Sequence, residues 1–398
     1  MSAEVESTFP QARPAGCPMD LAPQYGRWQE GQGLVRVRPP VGDPVWLVTR
    51  HEDVRRVLAD VRFSSDMTAA GYPKLFVPPL ILPGAFIALD PPEHTRLRAM
   101  LTGEFTTRRM QALRPKVQAI VDGALEELLA GPAPADLVTA FARPVAAVVI
   151  CELLGVPAAD QRLFLGWTET LHRRDVPPAA HQEANEALFG YMDALVARKS
   201  AEPTDDLIGR LVVERVRTGE LSHGELVAFA LLLLAGGLDT SANVIGLSTL
   251  SLLLDRSQWT ALAAEPALLD GAVEEMLRFH TITQWGIGRA ATTDLEVGGT
   301  TVRAGEGVIL LLPAANRDPS VFAEPDRFDV RREARGHLTL GHGVHHCIGQ
   351  GLARLELQVA MGTLVRRLPE LALAVPQADV GFQDDMFVYG VHGLPVTW

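Results

Sequence analysis

The sequence predicts a mainly α-helical fold with small β-sheets, on the basis of two observations. Between residue 92 and about residue 278 the chain has mostly helical patterns, interrupted by Pro or Gly near residues 131–134, 155–157 and 177–178. Alternating stretches typical of strands come before this helical body and again after residue 285. Since no repeat or linker divides the sequence, we expect the 398 residues to form a single domain.

The N-terminal part is expected to contain short elements. We predict that residues 1–30 form an irregular arm. Residues 34–49 contain LVRV and VWLV around a turn rich in Pro and Gly, which indicates a β-hairpin. Residues 51–59 have the pattern of a short amphipathic helix. Residues 64–88 are rich in Pro and Gly but also apolar, so we expect a loop that covers a pocket.

The C-terminal part returns to strands around one strong helix. Strand patterns occupy residues 286–312 and are punctuated by glycines at 298, 299 and 305. Residues 353–368 have a strong helical pattern, and residues 371–398 are typical of strands and turns. The sheets should therefore combine segments from both ends of the chain.

Composition and charge exclude several classes of protein. The net charge of −12 is unfavourable for binding nucleic acid. Three cysteines are too few, and odd in number, for a disulfide scaffold. Residues 1–16 are polar and do not have the apolar core of a signal peptide. The longest apolar run, residues 227–238, is too short to span a bilayer, so we expect a buried core helix in a cytoplasmic protein that does not bind membranes.

The segment HLTLGHGVHHCIGQGLARLE, residues 337–356, contains a cysteine with unusual neighbours. Glycines allow its backbone to turn tightly and to approach a flat ligand. Cys347 precedes a helix whose N-terminus favours a thiolate, and a buried thiolate suits an axial haem ligand. A structural cysteine is one alternative. A zinc site is another, because His337, His342, His345 and His346 surround Cys347, although no second ligand pair completes a tetrahedral set.

A second segment, LLLLAGGLDTSAN at residues 231–243, places polar groups inside an apolar helix. Such groups are costly unless they are satisfied, and Gly236-Gly237 would leave space for a ligand against the helix. The alternative is a core kink in which Thr240 bonds back to an upstream carbonyl.

Two pairs of charged residues share helix faces. Glu275 and Arg278 are three residues apart, and His94 and Arg98 are four apart, so each pair lies on one face. Taken alone, each pair is more typical of a solvated surface than of a functional site.

Together these segments resemble the cytochrome P450 family over nearly the whole chain, most closely actinobacterial members that tailor natural products or oxidise foreign compounds. The family's haem loop, F-G-x-G-x-H-x-C-x-G followed by x-x-L-A-R, matches residues 340–354 except that Leu340 replaces the Phe. The resemblance implies haem b (iron protoporphyrin IX) with Cys347 as the axial ligand of its iron. Because that Phe packs beside the sulfur in the family, Leu340 is expected to alter the surroundings that tune the iron potential.

The resemblance also implies roles for the other residues. Asp239 and Thr240 match the pair that activates oxygen by proton delivery. The propionates of the haem would be held by His94, Arg98, Arg289 and His345. Glu275 and Arg278 match the family's E-x-x-R motif, and Arg327, within the segment PDRF, would join them in a structural triad. By matching position, the substrate would be lined by Ile87, Ala88, Leu232, Ala235, Gly236, Trp285, Ile287, Met386 and Phe387.

The implied function is that of a haem-thiolate monooxygenase that uses dioxygen to hydroxylate or epoxidise an apolar small molecule. The partners implied are a ferredoxin and a ferredoxin reductase as separate electron donors. Two alternatives remain open: oxidative carbon–carbon coupling or ring formation without oxygen insertion, and a haem sensor without catalysis. A sensor would not need the Asp239–Thr240 pair.

Overall fold

The computed structural model describes residues 7–31, 33–75, 85–172, 177–384 and 386–398. Helices dominate it, as the sequence predicts. In chain order they are α1 (Pro23–Glu30), α2 (His51–Ala59), α3 (Glu93–Thr102), α4 (Thr107–Ala130), α5 (Arg143–Leu154), α6 (Gln161–His172), α7 (Pro178–Ala201), α8 (Leu207–Leu211), α9 (His223–Leu254), α10 (Arg256–Ala264), α11 (Leu269–Phe279), α12 (Leu312–Ala315) and α13 (Gln350–Arg367).

The strands are short, and most fall near the ends of the chain or after α11, while one, Ala135–Asp136, lies between α4 and α5. They are β1 (Ser7–Thr8), β2 (Leu34–Arg38), β3 (Val45–Val48), β4 (Phe63–Ser64), β5 (Ala135–Asp136), β6 (Ile287–Ala291), β7 (Leu295–Val297), β8 (Thr300–Val302), β9 (Gly307–Leu310), β10 (Ala372–Leu373) and β11 (Pro395–Thr397).

The largest sheet joins the two ends of the chain, as expected. Its order is β1-β2-β3-β9-β6-β4, in which β2 and β3 form the predicted antiparallel hairpin and β3 pairs in parallel with β9. A three-stranded sheet has the order β10-β11-β5, and β7 pairs with β8. Because β6 pairs with β9 in the large sheet, the segment after α11 is fixed against the N-terminal hairpin.

Helix α9 runs through the main hydrophobic cluster and packs against α5 and α13. It begins with a capping box, in which the Ser222 side chain accepts from the Glu225 N–H and Glu225 accepts from the Ser222 N–H. The helix has 32 residues, many more than the apolar run that predicted it, and it is long and apolar enough to cross a membrane by length and composition. However, 61% of its most apolar window is buried inside the protein, as a core helix requires.

The expectation of an irregular arm up to residue 30 is wrong for its last part. Helix α1 begins with Pro23 in its first turn, where a missing N–H costs nothing. Tyr25 and Trp28, three residues apart, share a face and pack with Phe9 in a separate hydrophobic cluster. The burial of these rings explains why so short a segment is helical.

Other boundaries differ little from the predictions. Helix α2 has the predicted bounds, and α13 begins at Gln350, three residues earlier than predicted. Within the predicted loop at residues 64–88, the last part is a turn at Phe86–Ala88, and residues 76–84 lie outside the described part of the chain.

Candidate active site

Cys347 lies in a tight loop between a short turn, Gly343–His345, and the start of α13. Gly341 and Gly343 both have φ of +73°, which residues with a Cβ rarely adopt. A Cβ on Gly343 would lie 2.4 Å from the carbonyl oxygen of Leu58, so the loop can pack against α2 only with glycine there. The Cys347 N–H donates to the Leu340 carbonyl at 2.8 Å, which fixes the cysteine in the turn.

The electrostatic surroundings of Cys347 act in opposite directions. Burial raises the pKa of the thiol, whereas the Gly349 N–H and the charges of Arg98 and Arg354 lower it. The burial effect is the larger, so the expected preference for a thiolate at the helix N-terminus is outweighed. A thiolate here therefore needs a further positive charge, which a bound metal ion supplies.

The four predicted propionate ligands converge beside this loop. The rings of His94 and His345 lie 4.0 Å apart between centroids, and the Arg98 guanidinium donates to the His346 carbonyl. Arg289, on β6, is buried and donates to its neighbouring Gly288 carbonyl at 2.7 Å. Three different elements thus bring the four cationic or basic side chains together.

This cluster is subject to the charge of the described Asp90, which acts on His94 and Arg289 but forms an ion pair with neither. None of its four members forms an ion pair with a described carboxylate, and both ring nitrogens of the buried His94 have no hydrogen-bond partner. Burial lowers the pKa of His94, and burial with the neighbouring Arg289 lowers that of His345 to about 3. Two arginines without carboxylate partners, next to a cysteine, fit the two propionates and the iron of a haem.

Helix α9 presents an open side at the predicted oxygen-binding segment. Ala235 and Gly236 are exposed, although the helix is buried on both sides of them along the chain. No atom lies within 4 Å of a Cβ placed on Gly236, whereas one on Gly237 would lie 3.1 Å from Ile150 of α5. Gly236 therefore leaves space for a ligand, and Gly237 allows close helix packing.

Thr240 makes the hydrogen bond that the core-kink alternative requires. Its hydroxyl donates to the Gly236 carbonyl at 2.6 Å, and α9 nevertheless continues for 14 residues beyond it, to Leu254. Since a hydroxyl that donates can still accept, Thr240 Oγ1 keeps acceptor positions next to the open side at Gly236. The two interpretations of this threonine are therefore compatible.

An aromatic chain connects α9 to the propionate cluster. Phe86 packs edge-on against Phe229 of α9 at 5.7 Å and lies 6.1 Å from the His94 ring. Ile87, the next residue, is 57% exposed, which is unusual for a large apolar side chain beside a buried one. The turn at Phe86–Ala88 thus bridges the two sides of the candidate site and leaves Ile87 open.

The other predicted lining residues lie further along the chain. Leu232 of α9 is partly buried, and Met386 and Phe387 are tied to Gln284, whose N–H donates to the Phe387 carbonyl at 3.2 Å. Ile287, the first residue of β6, packs against the hydrophobic cluster that contains Val48 and Leu310. Trp285 packs against the N-terminal aromatic cluster and lines a cleft with Arg13 and Tyr25, so its place in the substrate pocket stays a prediction.

The predicted structural triad has a different third member. Glu275 and Arg278 are fully buried and form two hydrogen bonds, at 2.6 and 2.9 Å. The third side chain is that of Arg332, whose Nε lies 3.2 Å from Glu275 Oε1. The assignment of Arg327 is wrong, because its side chain is 59% exposed and only its carbonyl accepts from Arg278.

Sequence reasoning missed a buried acid behind the active-site helix. Glu356 of α13 is buried, and the Ser241 hydroxyl donates to its Oε2 at 2.9 Å while Oε1 has no partner. Burial raises the pKa of this carboxyl to about 8. Its position in the run L-A-R-L-E, between apolar residues of a helix predicted to be buried, was the available signal.

A zinc site is not supported. Within the described ranges, no group of three or more His, Cys, Asp or Glu side chains could hold a metal ion. His337 instead faces Glu274, which also binds Arg354 at 2.6 Å. This arrangement ties the cysteine loop and α13 to α11.

Comparison with known proteins identifies the relatives of this chain. Residues 177–369 match the family model Cytochrome P450. Cytochrome P450-SU2 of Streptomyces griseolus is 44% identical over 98% of this chain and 97% of its own length. Pentalenic acid synthase of Streptomyces avermitilis is also 44% identical, over 100% of this chain and 98% of its own.

A solved structure shows the same fold. The crystal structure of mycinamicin VIII C21 methyl hydroxylase from Micromonospora griseorubida, bound to mycinamicin VIII, is similar with a TM-score of 0.90 at 40% identity. The match covers 98% of this chain and 100% of that one.

Proposed function

The chain belongs to the cytochrome P450 family, with haem b as its cofactor, and on that premise we propose that Cys347 binds the iron and that the protein oxidises an apolar natural product. The observation that carries this proposal is the convergence of Cys347 with two arginines and two histidines that have no described carboxylate partner. When bound, the haem supplies the reductive activation of dioxygen and the transfer of one oxygen atom to the substrate.

The residues of the chain then hold the cofactor and control protons. Arg98 and Arg289 would bind the propionates by charge-assisted hydrogen bonds, and the unpartnered nitrogens of His94 would donate or accept there. Gly343 allows the cysteine loop to pack closely against α2. This arrangement orients the cofactor before any substrate binds.

Proton delivery is assigned to Asp239 and Thr240. Monooxygenation consumes two protons, which must reach a site from which bulk water is otherwise excluded. Thr240 Oγ1 would accept a hydrogen bond from a water beside Gly236 while it donates to the Gly236 carbonyl, and Asp239 would bring the proton from solvent. The pair is one residue from Ser241, which contacts the buried Glu356.

The substrate class is inferred from the residues proposed to line the pocket. Ile87, Leu232 and Ala235 are apolar, and ligand sites of this kind bind largely through apolar surface. The relatives named above include a mycinamicin VIII C21 methyl hydroxylase, and we propose a natural-product tailoring role for this protein as well. We further propose that it works in the cytoplasm.

A ferredoxin reduced by its own reductase is proposed as the electron donor, as is usual for bacterial members of the family. Val344, three residues before Cys347, is 38% exposed and offers an apolar contact on the face nearest the cysteine. A ferredoxin docked on this face would have a shorter electron-transfer path to the iron, so we propose that it docks here.

The test uses isotope-labelled dioxygen. A panel of apolar natural products that includes mycinamicin VIII is first screened for a low-spin to high-spin shift of the Soret band. The compound with the largest shift is then turned over with ferredoxin and reductase, and we expect one labelled oxygen atom in the product. A coupled or cyclised product without label would support the alternative of oxidative coupling instead.

A further inference from the structure

We propose that Arg13 is a positioning residue for the substrate, because it holds the C-terminal loop, defined by residues 382–384 and 386–391, from outside the active site. The inference rests on the proposed function, which assigns Met386 and Phe387 of this loop to the substrate pocket. Nothing in the family motifs of the sequence involves the N-terminal arm, so the assignment comes from the contacts of the structure alone.

The C-terminal loop is closed at its base and tied to two elements of the active site. Phe382 pairs with Val391, and the Gln383 N–H donates to the Gly390 carbonyl at 2.9 Å. The Gln383 side chain accepts from Asn243, three residues beyond Thr240 on α9, at 3.2 Å. The C-terminal loop is therefore hydrogen-bonded directly to the helix that carries the proposed oxygen-activating pair.

A single glutamine holds the tip of the loop from the inner side. The side-chain amide of Gln284 donates to the carbonyls of Gln383 at 3.1 Å and Asp384 at 3.2 Å, and also to that of Met386. These bonds fix the backbone that carries Met386. They leave the outer side of the loop to be held by other residues.

Tyr389 is the outer anchor of the loop. It is buried, its N–H donates to the Ile282 carbonyl at 2.7 Å, and its ring stacks on Phe382 at 5.8 Å. Its hydroxyl donates to the carbonyl of Pro18, in the N-terminal arm, at 2.6 Å. The arm and the C-terminal loop are thus joined through this ring.

Arg13 packs on the face of the Tyr389 ring. Its guanidinium carbon lies 3.7 Å from the centroid of the Tyr389 ring, a cation–π distance. The same guanidinium donates to the carbonyls of Pro18 at 3.3 Å and Asp20 at 3.0 Å. Arg13 therefore fixes both the tyrosine and the carbonyl that the tyrosine hydroxyl binds.

The arm is itself attached to the large sheet and to α1. Strand β1 pairs with β2, and the Gln11 N–H donates to the hydroxyl of the buried Tyr25 at 2.9 Å. Within the described residues Arg13 forms no ion pair, so its fixed position depends on the ring and the two carbonyls. One guanidinium nitrogen donates to both carbonyls while the guanidinium carbon lies over the ring, an arrangement that the shorter, more strongly hydrated ammonium of lysine would reproduce only in part.

Loss of this support would reduce the fraction of molecules with the loop in its binding conformation. The apparent dissociation constant rises in proportion as that fraction falls. A ligand that touches the loop should therefore bind more weakly, whereas a ligand confined to the iron should be unaffected. This difference separates positioning of the substrate from a general role in stability.

The experiment uses the haem-loaded protein and two azole probes that bind the iron. Imidazole occupies only the space at the iron, and clotrimazole extends into the pocket. For Arg13→Ala we expect clotrimazole to bind about five- to tenfold more weakly, the equivalent of one cation–π contact of about 1 kcal/mol or slightly more, with imidazole affinity unchanged. Arg13→Lys should recover part of the loss, and Tyr389→Phe should show a smaller loss.

Arg27→Ala is the matched control, because Arg27 lies on the same arm and its side chain donates to Gln24, in the same helix. It should leave both affinities unchanged. Hydrogen exchange of residues 382–391 should quicken in Arg13→Ala and not in the control. Equal binding of clotrimazole by the wild type and Arg13→Ala, or an equal loss for both azoles, would overturn the proposal. If the wild type itself shows no azole-induced shift of the Soret band, the proposed function fails instead.

Discussion

Replacing Arg332 by alanine should destabilise the protein far more than the same change at Arg327. The sequence motif points to Arg327, whereas the structure gives the role to Arg332, so the two variants discriminate between the two assignments. Arg332 is 12% exposed at its side chain and reaches Glu275, whose carboxylate is fully buried.

The magnitude follows from the bonds that each variant removes. Arg332→Ala loses the 3.2 Å contact with Glu275 and hydrogen bonds to the carbonyls of Glu324 at 3.0 Å, Arg327 at 3.1 Å and Ala323. Because Glu275 keeps its two bonds from Arg278 and the one from the Asp329 N–H, the cost is that of a lost hydrogen bond to a charged group, about 1.5–3 kcal/mol. Arg327→Ala removes only contacts of 3.5 and 3.9 Å to exposed or half-buried carboxylates, which are worth about 0–1 kcal/mol.

The carbonyl of Arg327 explains why its side chain is dispensable. That oxygen accepts from Arg278 at 3.3 Å, and this bond survives truncation of the side chain. The assay is urea unfolding of both variants and the wild type, followed by circular dichroism and by loss of the Soret band. A midpoint for Arg327→Ala as low as that for Arg332→Ala would refute the assignment.

Three further predictions concern the site itself. Gly343→Ala should prevent haem incorporation, because its Cβ would lie 2.4 Å from the Leu58 carbonyl oxygen. Gly341→Ala, whose nearest contact would be 3.8 Å, should lose only about 1–2 kcal/mol of stability and still bind haem. Haem content after purification measures the outcome for both variants. Thr240→Ala should keep electron consumption but release peroxide in place of product, with Thr240→Ser close to the wild type; unchanged coupling in the alanine variant would remove the proposed role. Glu356, with its carboxyl pKa raised from 4.5 to about 8, keeps its proton in the folded state after the unfolded chain has lost it, so stability should fall as pH rises from about 4.5 to 8. Glu356→Gln should abolish that fall and be the more stable protein at pH 8, as urea midpoints across the pH range would show.

Local periodicity explains which parts of the site could be predicted. His94 and Arg98 are four residues apart on one helix, so their common face is fixed by the helical repeat. The glycines around Cys347 and in α9 are recognisable because a Cβ would clash or fill space at particular points. Such features can be predicted from nearby residues, without knowing which distant segments pack against them.

The parts that could not be predicted depend on packing between distant segments. Arg327 and Arg332 lie in an irregular stretch, where no period tells which side chain faces Glu275. Glu356 is buried because α13 packs against α9, and a helical glutamate is ordinarily solvated. Helix α1 depends on Tyr25 and Trp28 meeting Phe9 and the large sheet. In each case the deciding contact is made by a residue far away in sequence.

The bond between the Cys347 sulfur and the haem iron is tested most directly by the absorption spectrum of the reduced protein under carbon monoxide. We predict the red-shifted Soret band of a thiolate complex in the wild type. In Cys347→His, whose imidazole can still bind iron, we predict haem binding without that band. A wild type that lacks the red-shifted band while it is folded and loaded with haem, or a histidine variant that retains it, would contradict the assignment of the ligand.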